Sequence, residues 1–144
     1  MLEDVDVQNL EEVLPLIQKY QEFYKVKNID TDKNREFFSQ FHKESEKGMI
    51  FAYRVDNKLV AFATVYFTFA SSIISKVAVM NDLFTLEPYR KRGIAKKLIE
   101  HCKSYAELKG ASRLQWVTAL DNQTAQSVYK SLGAKKSQWE FFTY

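Results

Sequence analysis

Apolar residues recur at helical spacing in the first 45 positions, alternate or run together from Met49 to Leu86, and return to helical spacing after Gly93. Residues 3–7 read as a short first strand. Asn9 has the character of a helix N-cap, with Glu12 as its capping-box partner. Leu10, Val13, Leu14, Ile17, Tyr20 and Tyr24 then hold helical spacing to about Lys25, and Pro15 inside the run predicts an irregular first turn or a bend. Thr31 reads as a second N-cap; Phe37, Phe38 and Phe41 give that helix an apolar side, and Gly48 closes it. "MIFAYRV", "DNK" and "LVAFATVYFTF" predict strand, tight turn and strand, and Ile73–Leu86 a third long strand stopped by Pro88. Ile94, Ala95, Leu98, Ile99, Cys102, Tyr105 and Ala106 mark an amphipathic helix ended by Gly110. "RLQWVT" from Arg113 reads as a strand. Thr124, Ala125, Val128, Tyr129 and Leu132 form a short helix ended by Gly133, and "KSQWEFFTY" reads as a final strand. Hairpins first and helical crossovers later predict one α+β domain over residues 1–144, with a mixed sheet.

Composition adds that the chain is an ordinary globular one with an aromatic interior: 46% hydrophobic, 15% aromatic, four glycines and two prolines in 144 residues. The net charge of +3 hides a polarity. Residues 1–24 hold six acids and one lysine, whereas residues 88–113 hold eight cations and two acids. Cys102 is alone, which excludes an intramolecular disulfide and a cysteine zinc cage. The start, "MLEDVDVQNLEE", is acidic where a signal peptide is basic and then apolar, and no apolar run of about eighteen residues occurs. A cytoplasmic protein without a membrane span is the expectation.

The basic charge concentrates in "PYRKRGIAKK", Pro88 to Lys97, where five cations surround Gly93 at the start of a helix. The backbone N–H groups of Lys91 to Ala95 have no intrahelical acceptor, and the helix dipole makes that end an anion site. Gly93 removes the Cβ that would keep an anion away, Ala95 is small, and Arg90, Arg92 and Lys96 can add charge-assisted bonds. The alternative is a solvated basic surface, but cations at a helix N-terminus oppose its dipole by some tenths of a kcal/mol each. Neither the G-x-x-x-x-G-K-[ST] phosphate loop nor the G-x-G-x-x-G dinucleotide fingerprint is present.

"RKRGIA", Arg90 to Ala95, resembles the Q/R-x-x-G-x-G/A turn of the Gcn5-related N-acetyltransferase (GNAT) superfamily, and "NQTAQSVYKSLG", Asn122 to Gly133, resembles its second signature. The resemblance extends over nearly the whole chain and is strongest in motif to diamine and thialysine N-acetyltransferases; "LQWVTALDNQTAQSVY" is also similar to a fungal group acting on histones and polyamines. It implies a mixed, mostly antiparallel twisted sheet flanked by four helices. It also implies acetyl-coenzyme A as acyl donor, without a metal, and acetyl transfer to a primary amine by direct attack.

By that resemblance the pyrophosphate of the coenzyme lies on Arg90, Lys91, Arg92, Gly93, Ile94, Ala95 and Lys96, and Asn122 and Ala125 also belong to the coenzyme site. The pantetheine arm runs along Leu83, Phe84 and Thr85, where an amide near Leu83 can hold the oxyanion. Tyr129 falls at the general-acid position; read from its neighbours Val128 and Leu132 alone, it is a core aromatic. A phenol near pKa 10 giving its proton to a thiolate near 8.5 is uphill by roughly 2 kcal/mol, so hydrogen-bond donation is an alternative role for it.

An alkylammonium must also lose a proton. The resembled diamine enzymes have Glu where this chain has Asn81; Asp82 is adjacent, and a strand turns neighbours to opposite faces unless a bulge intervenes. Asp82 is the catalytic candidate, with Glu22, Glu87, Glu140 or a water chain as alternatives. Glu11, Glu12 and Glu22 beside Tyr20, Phe23 and Tyr24 favour a small cationic amine by pairing and cation–π contact, although acids early in a helix also simply satisfy its dipole. His42 and His101 lack ligand spacing and read as surface residues, and Trp116 and Trp139 as core or interface. The competing functions are a peptide-lysine acetyltransferase, a non-catalytic acetyl-coenzyme A binder and a nucleic-acid domain. Glu100 and Glu107 among the lysines of the helix weigh against the last. An exposed "WEFFTY" edge is costly and points to a homodimer that covers it.

Overall fold

A computed structural model describes residues 1–144. In chain order the elements are β1 (Leu2–Asp4), α1 (Leu10–Phe23), α2 (Thr31–Phe38), β2 (Gly48–Val55), β3 (Lys58–Ala70), β4 (Ser75–Thr85), α3 (Ile94–Leu108), β5 (Leu114–Gln115) and α4 (Gln123–Ser131). The five strands form one sheet in sequence order, antiparallel from β1 to β4 and parallel between β4 and β5. The fold is therefore the mixed α/β arrangement expected, with a mostly antiparallel sheet and four helices.

Alternation along the strands sorts the core into two layers. Met49, Phe51, Ala61, Ala63 and Val65 meet Ile94, Leu98, Ile99 and Cys102 of α3. Ile50, Ala52, Phe62 and Phe84 meet Val13, Leu14 and Ile17 of α1, together with Phe38 and Phe41. Asp56 and Asn57 both adopt positive φ, the pair of left-handed residues that a two-residue hairpin turn requires. No helix is long and apolar enough to cross a membrane.

Several sequence expectations are corrected. Asn9 does not cap α1 with its side chain. It accepts from the Asp6 amide and donates to Glu3 and the Asp4 carbonyl, tying the end of β1, while Glu12 pairs with Arg54 at 2.8 Å. The helix runs through Pro15 on its exposed side. Asp30, not Thr31, caps α2 by accepting from the Lys33 amide, and α2 ends at Phe38. Gly48 opens β2 instead of closing a helix, because a Cβ there would stand 2.0 Å from the Val65 carbonyl oxygen. Residues 71–73 form a short 3-10 turn, so β4 starts at Ser75. The strand from Arg113 shrinks to two residues, and "KSQWEFFTY" forms no strand within the chain.

Candidate active site

The turn between β4 and α3 is built around Gly93, whose φ of 79° only glycine adopts without strain. Lys91 is also left-handed, at φ 63°. The first bond of α3 runs from the Lys97 amide to the Gly93 carbonyl. None of the six amides from Lys91 to Lys96 donates to a protein acceptor. A Cβ added at Gly93 would meet nothing within 4 Å, so the space over the turn is open. Ile94 contributes only its backbone, since its side chain is buried in the core.

The five cations divide. Lys91 and Lys96 make no side-chain hydrogen bond or ion pair, Arg92 lies over the Tyr89 ring, and Lys97 donates to the Tyr53 hydroxyl at 3.3 Å. Arg90 turns the other way. Its Nε donates to the Thr85 carbonyl at 2.9 Å, and its guanidinium lies 5.8 Å from the rings of both Phe23 and Phe84. It links the turn to the aromatic cleft instead of facing the free amides.

On β4, pairing to β5 covers only Ala78 and Val79, so the edge from Met80 through Leu83, Phe84 and Thr85 has no strand beside it. The strand also bulges: Thr64 pairs with Asp82 and Val65 with Met80, which leaves Asn81 as the extra residue. Ala78 and Met80 face α3, but beyond the bulge Phe84 faces α1. Asp82 thereby joins the α1 side. It is 6% exposed and accepts from the Thr64 hydroxyl, with the Tyr66 hydroxyl at 3.5 Å and Asn81 Nδ2 donating to its other oxygen at 3.2 Å. Burial, and then the neighbouring Asp82 carboxylate, hold the Tyr20 phenol far above its usual range. Burial and the same charge push Tyr66 up to about 12. Two hydroxyls, those of Thr64 and Tyr66, thus converge on one carboxylate.

Tyr20 also stands at the centre of an aromatic wall, with ring centroids 4.9 Å from Tyr24, 5.7 Å from Phe62 and 6.0 Å from Phe84. Tyr129 of α4 packs edge-on against Trp116 at 5.2 Å. Burial raises its hydroxyl above the ordinary value, Tyr24 adds to the shift, and a bond to Thr118 opposes it. Asn122 caps α4 by accepting from the Ala125 amide at 3.2 Å, which commits that amide and leaves Asn122 Nδ2 unpaired.

The acids expected to draw in a cation are used elsewhere. Glu11 pairs with Arg35, Glu12 with Arg54, and Glu22 with Lys19. Glu87 sits in the turn after β4 and Glu140 in the exposed C-terminal segment. Asp82 forms no ion pair and is held by the Thr64 and Tyr66 hydroxyls and Asn81 Nδ2. His101 is not a plain surface residue, since it lies edge-on to Phe51 at 4.6 Å. Thr64 and Tyr66 were missed in the sequence; their signal is two hydroxyls two residues apart on one face of a strand that is otherwise apolar there.

Comparison with known proteins bears on the family and the fold. The model of the acetyltransferase (GNAT) family matches residues 13–134. The uncharacterized N-acetyltransferase YhfO of Bacillus subtilis is 28% identical over 121 residues, 84% of this chain and 80% of its own length. Shorter matches join the chain to the D-amino-acid N-acetyltransferase HPA3 of Saccharomyces cerevisiae, 37% identical over 62 residues, 43% of this chain and 38% of that protein. The L-ornithine N5-acetyltransferase NATA1 of Arabidopsis thaliana is 28% identical over 83 residues, 57% of this chain and 36% of that protein. A crystal structure of a probable acetyltransferase superposes with a TM-score of 0.86 at 27% identity, covering 100% of this chain and 96% of that one.

Proposed function

This chain belongs to the acetyltransferase (GNAT) family, and we propose that it moves the acetyl group of acetyl-coenzyme A to a small cationic primary amine. The observation that carries the donor half is the row of six unpaired amides at Lys91–Lys96 around a left-handed Gly93 with open space above it. That donor set fits a diphosphate: the amides and the dipole of α3 bind it, and Lys91, Arg92 and Lys96 add charge without prior protein ion pairs. The unpaired edge of β4 at Leu83–Thr85 suits an extended amide-bearing arm, and the free Nδ2 of Asn122 can donate to it. When bound, the coenzyme supplies the activated acyl group as a thioester.

The acceptor half rests on Asp82. A buried carboxylate on the same side of the sheet as the Tyr20, Tyr24 and Phe84 rings attracts an ammonium by charge, and the rings offer it aromatic faces. An alkylammonium near pKa 10.4 is almost entirely charged at neutral pH, so the group that orders it must also receive its proton. Asp82 takes that proton directly or through the Tyr66 hydroxyl. Tyr129 keeps its own proton at Oη and donates to the departing sulfur from the opposite wall. The named activities of the yeast and Arabidopsis relatives, on D-amino acids and on the N5 of L-ornithine, support a small amine over a peptide.

A thiol-release assay with acetyl-coenzyme A and a panel of diamines, polyamines, lysine analogues, amino acids and a histone-like peptide tests this. Turnover should favour the small cationic amines. Turnover of the peptide alone, or coenzyme binding without turnover of any amine, would contradict it.

A further inference from the structure

The hairpin that joins β3 to β4 reaches past its neighbour in the sheet. β2 pairs with β3 no further than Gly48 against Tyr66, whereas β3 and β4 pair on to Ala70 against Ser75. Phe67–Ala70 and Ser75–Ala78 therefore run beyond the β2 edge by roughly 13 Å, at about 3.3 Å for each residue. The end is apolar where a turn is ordinarily polar. Phe69 is 78% exposed, Ile74 is 93% exposed, and Ile73 between them is exposed as well.

Ile74 is held in the left-handed region, at φ 49° and ψ 51°. A β-branched side chain is strained there, and glycine or asparagine makes such a turn without that strain. The short 3-10 turn ends on this residue, whose amide donates to the Ser71 carbonyl at 3.2 Å. Its side chain belongs to neither core layer. A strained, solvent-facing isoleucine at the end of a projecting hairpin points to a contact outside the molecule.

The base of the hairpin is cationic. Lys76 Nζ donates to the Lys109 carbonyl, the Phe67 amide to the Lys47 carbonyl and the Ala78 amide to the Arg113 carbonyl, so Lys47, Lys76, Lys109 and Arg113 gather there. None of them pairs with a carboxylate. Glu46 and Glu107 are the acids closest in sequence to Lys47 and Lys109, and Glu107 already lies 3.9 Å from Lys103. From Asn57 to Asn81 the chain has no acid.

We propose that this hairpin docks the protein onto an anionic lipid surface, with Phe69, Ile73 and Ile74 entering the bilayer and Lys47, Lys76, Lys109 and Arg113 lying on the headgroups. The shape favours a bilayer over a protein partner, because a projecting tip needs a matching groove in a protein but not in lipid. Apolar side chains settle about 5–10 Å into the headgroup boundary, and anionic headgroups attract the flanking cations. β4 leads from this tip to the Gly93 turn at its opposite end, so docking leaves that turn open.

Co-sedimentation of the full chain with vesicles tests this. The parent should bind phosphatidylcholine vesicles holding about one third phosphatidylglycerol roughly tenfold better than pure phosphatidylcholine. That binding should weaken about tenfold between about 50 and 500 mM salt. F69S/I74N should also bind about tenfold less, with an unchanged far-UV circular dichroism spectrum. I74N alone should melt higher than the parent, since asparagine accepts the left-handed backbone. A parent that stays in the supernatant, equal binding to both vesicles, or a double variant that binds like the parent overturns the proposal. A lower melting point for I74N overturns it too, by showing that Ile74 packs within the chain. Retention on a polyglutamate resin without vesicle binding would assign the tip to an acidic protein and likewise overturn it.

Discussion

Thr64 and Asp82 stand opposite one another in β3 and β4, and the threonine hydroxyl donates to Asp82 Oδ2 on the buried side of the sheet that faces α1. This pairing exists because Asn81 is an extra residue in β4. With strict alternation Asp82 would share the α3 side with Met80, sealed in the hydrocarbon core. The bulge re-aims one carboxylate, and the Thr64 hydroxyl and Asn81 Nδ2 each hold one of its two oxygens.

Replacing Asp82 by Asn should lower kcat/KM for cationic amines by about 100-fold while coenzyme affinity is kept, because only the proton acceptor and ammonium partner is lost. T64V should cost about tenfold by freeing the carboxylate. Steady-state kinetics and a coenzyme titration on each variant check this. An Asp82→Asn enzyme with parental kcat/KM would remove Asp82 from the reaction.

Replacing Gly93 by Val forces a β-branched residue into φ 79° and places methyl groups in the open space over the turn. Coenzyme affinity should fall by about 100-fold, with a stability loss of about 1–3 kcal/mol from backbone strain. Calorimetric titration and thermal melting separate the two effects. An Ala at the same position should show an intermediate loss.

For Tyr129 the pH profile is more informative than the loss of rate in Y129F. Burial raises its folded pKa above the free phenol value near 10, so the proton-bound form is favoured in the folded state. Stability from burying this phenol is fully present below about pH 10 and is lost as pH rises through the folded value. The kcat profile should therefore show no descending limb from this group until above about pH 10. A descending limb near pH 8 that Y129F abolishes would contradict the assignment.

Arg54 gathers Glu3 and Glu12, with contacts of 2.7 and 2.8 Å, and joins β2 to β1 and α1. Hydrogen bonds from the guanidinium hold both carboxyls below their usual range. A depressed folded pKa gives stability above the unfolded value near 4.3 that is lost as pH falls through the folded one. R54M should melt earlier than the parent at pH 7, and the gap should close below about pH 4. A gap independent of pH would show that packing of the arginine stem is the whole effect.

Much of this was legible in the sequence. The amphipathic spacing from Ile94 to Ala106, the hairpin at Asp56–Asn57 and the cationic glycine turn are local patterns, and local patterns reveal themselves by periodicity and turn chemistry. What stayed hidden depends on partners distant in sequence. The side on which Asp82 lies follows from a register slip against β3, which no window of β4 alone encodes. The fates of Glu11 and Glu12 were set by Arg35 and Arg54, 24 and 42 residues away. "WEFFTY" has the composition of a strand but pairs with no edge of its own chain's sheet, so composition alone misplaced it.

The central claim is that unpaired amides at the start of α3 hold the diphosphate of the acyl donor. Backbone amide NMR during titration with coenzyme A measures it directly. The resonances of residues 91–96 should shift more than those of any other segment, and G93V should abolish those shifts. Saturable binding that leaves these six amides unmoved would contradict the account.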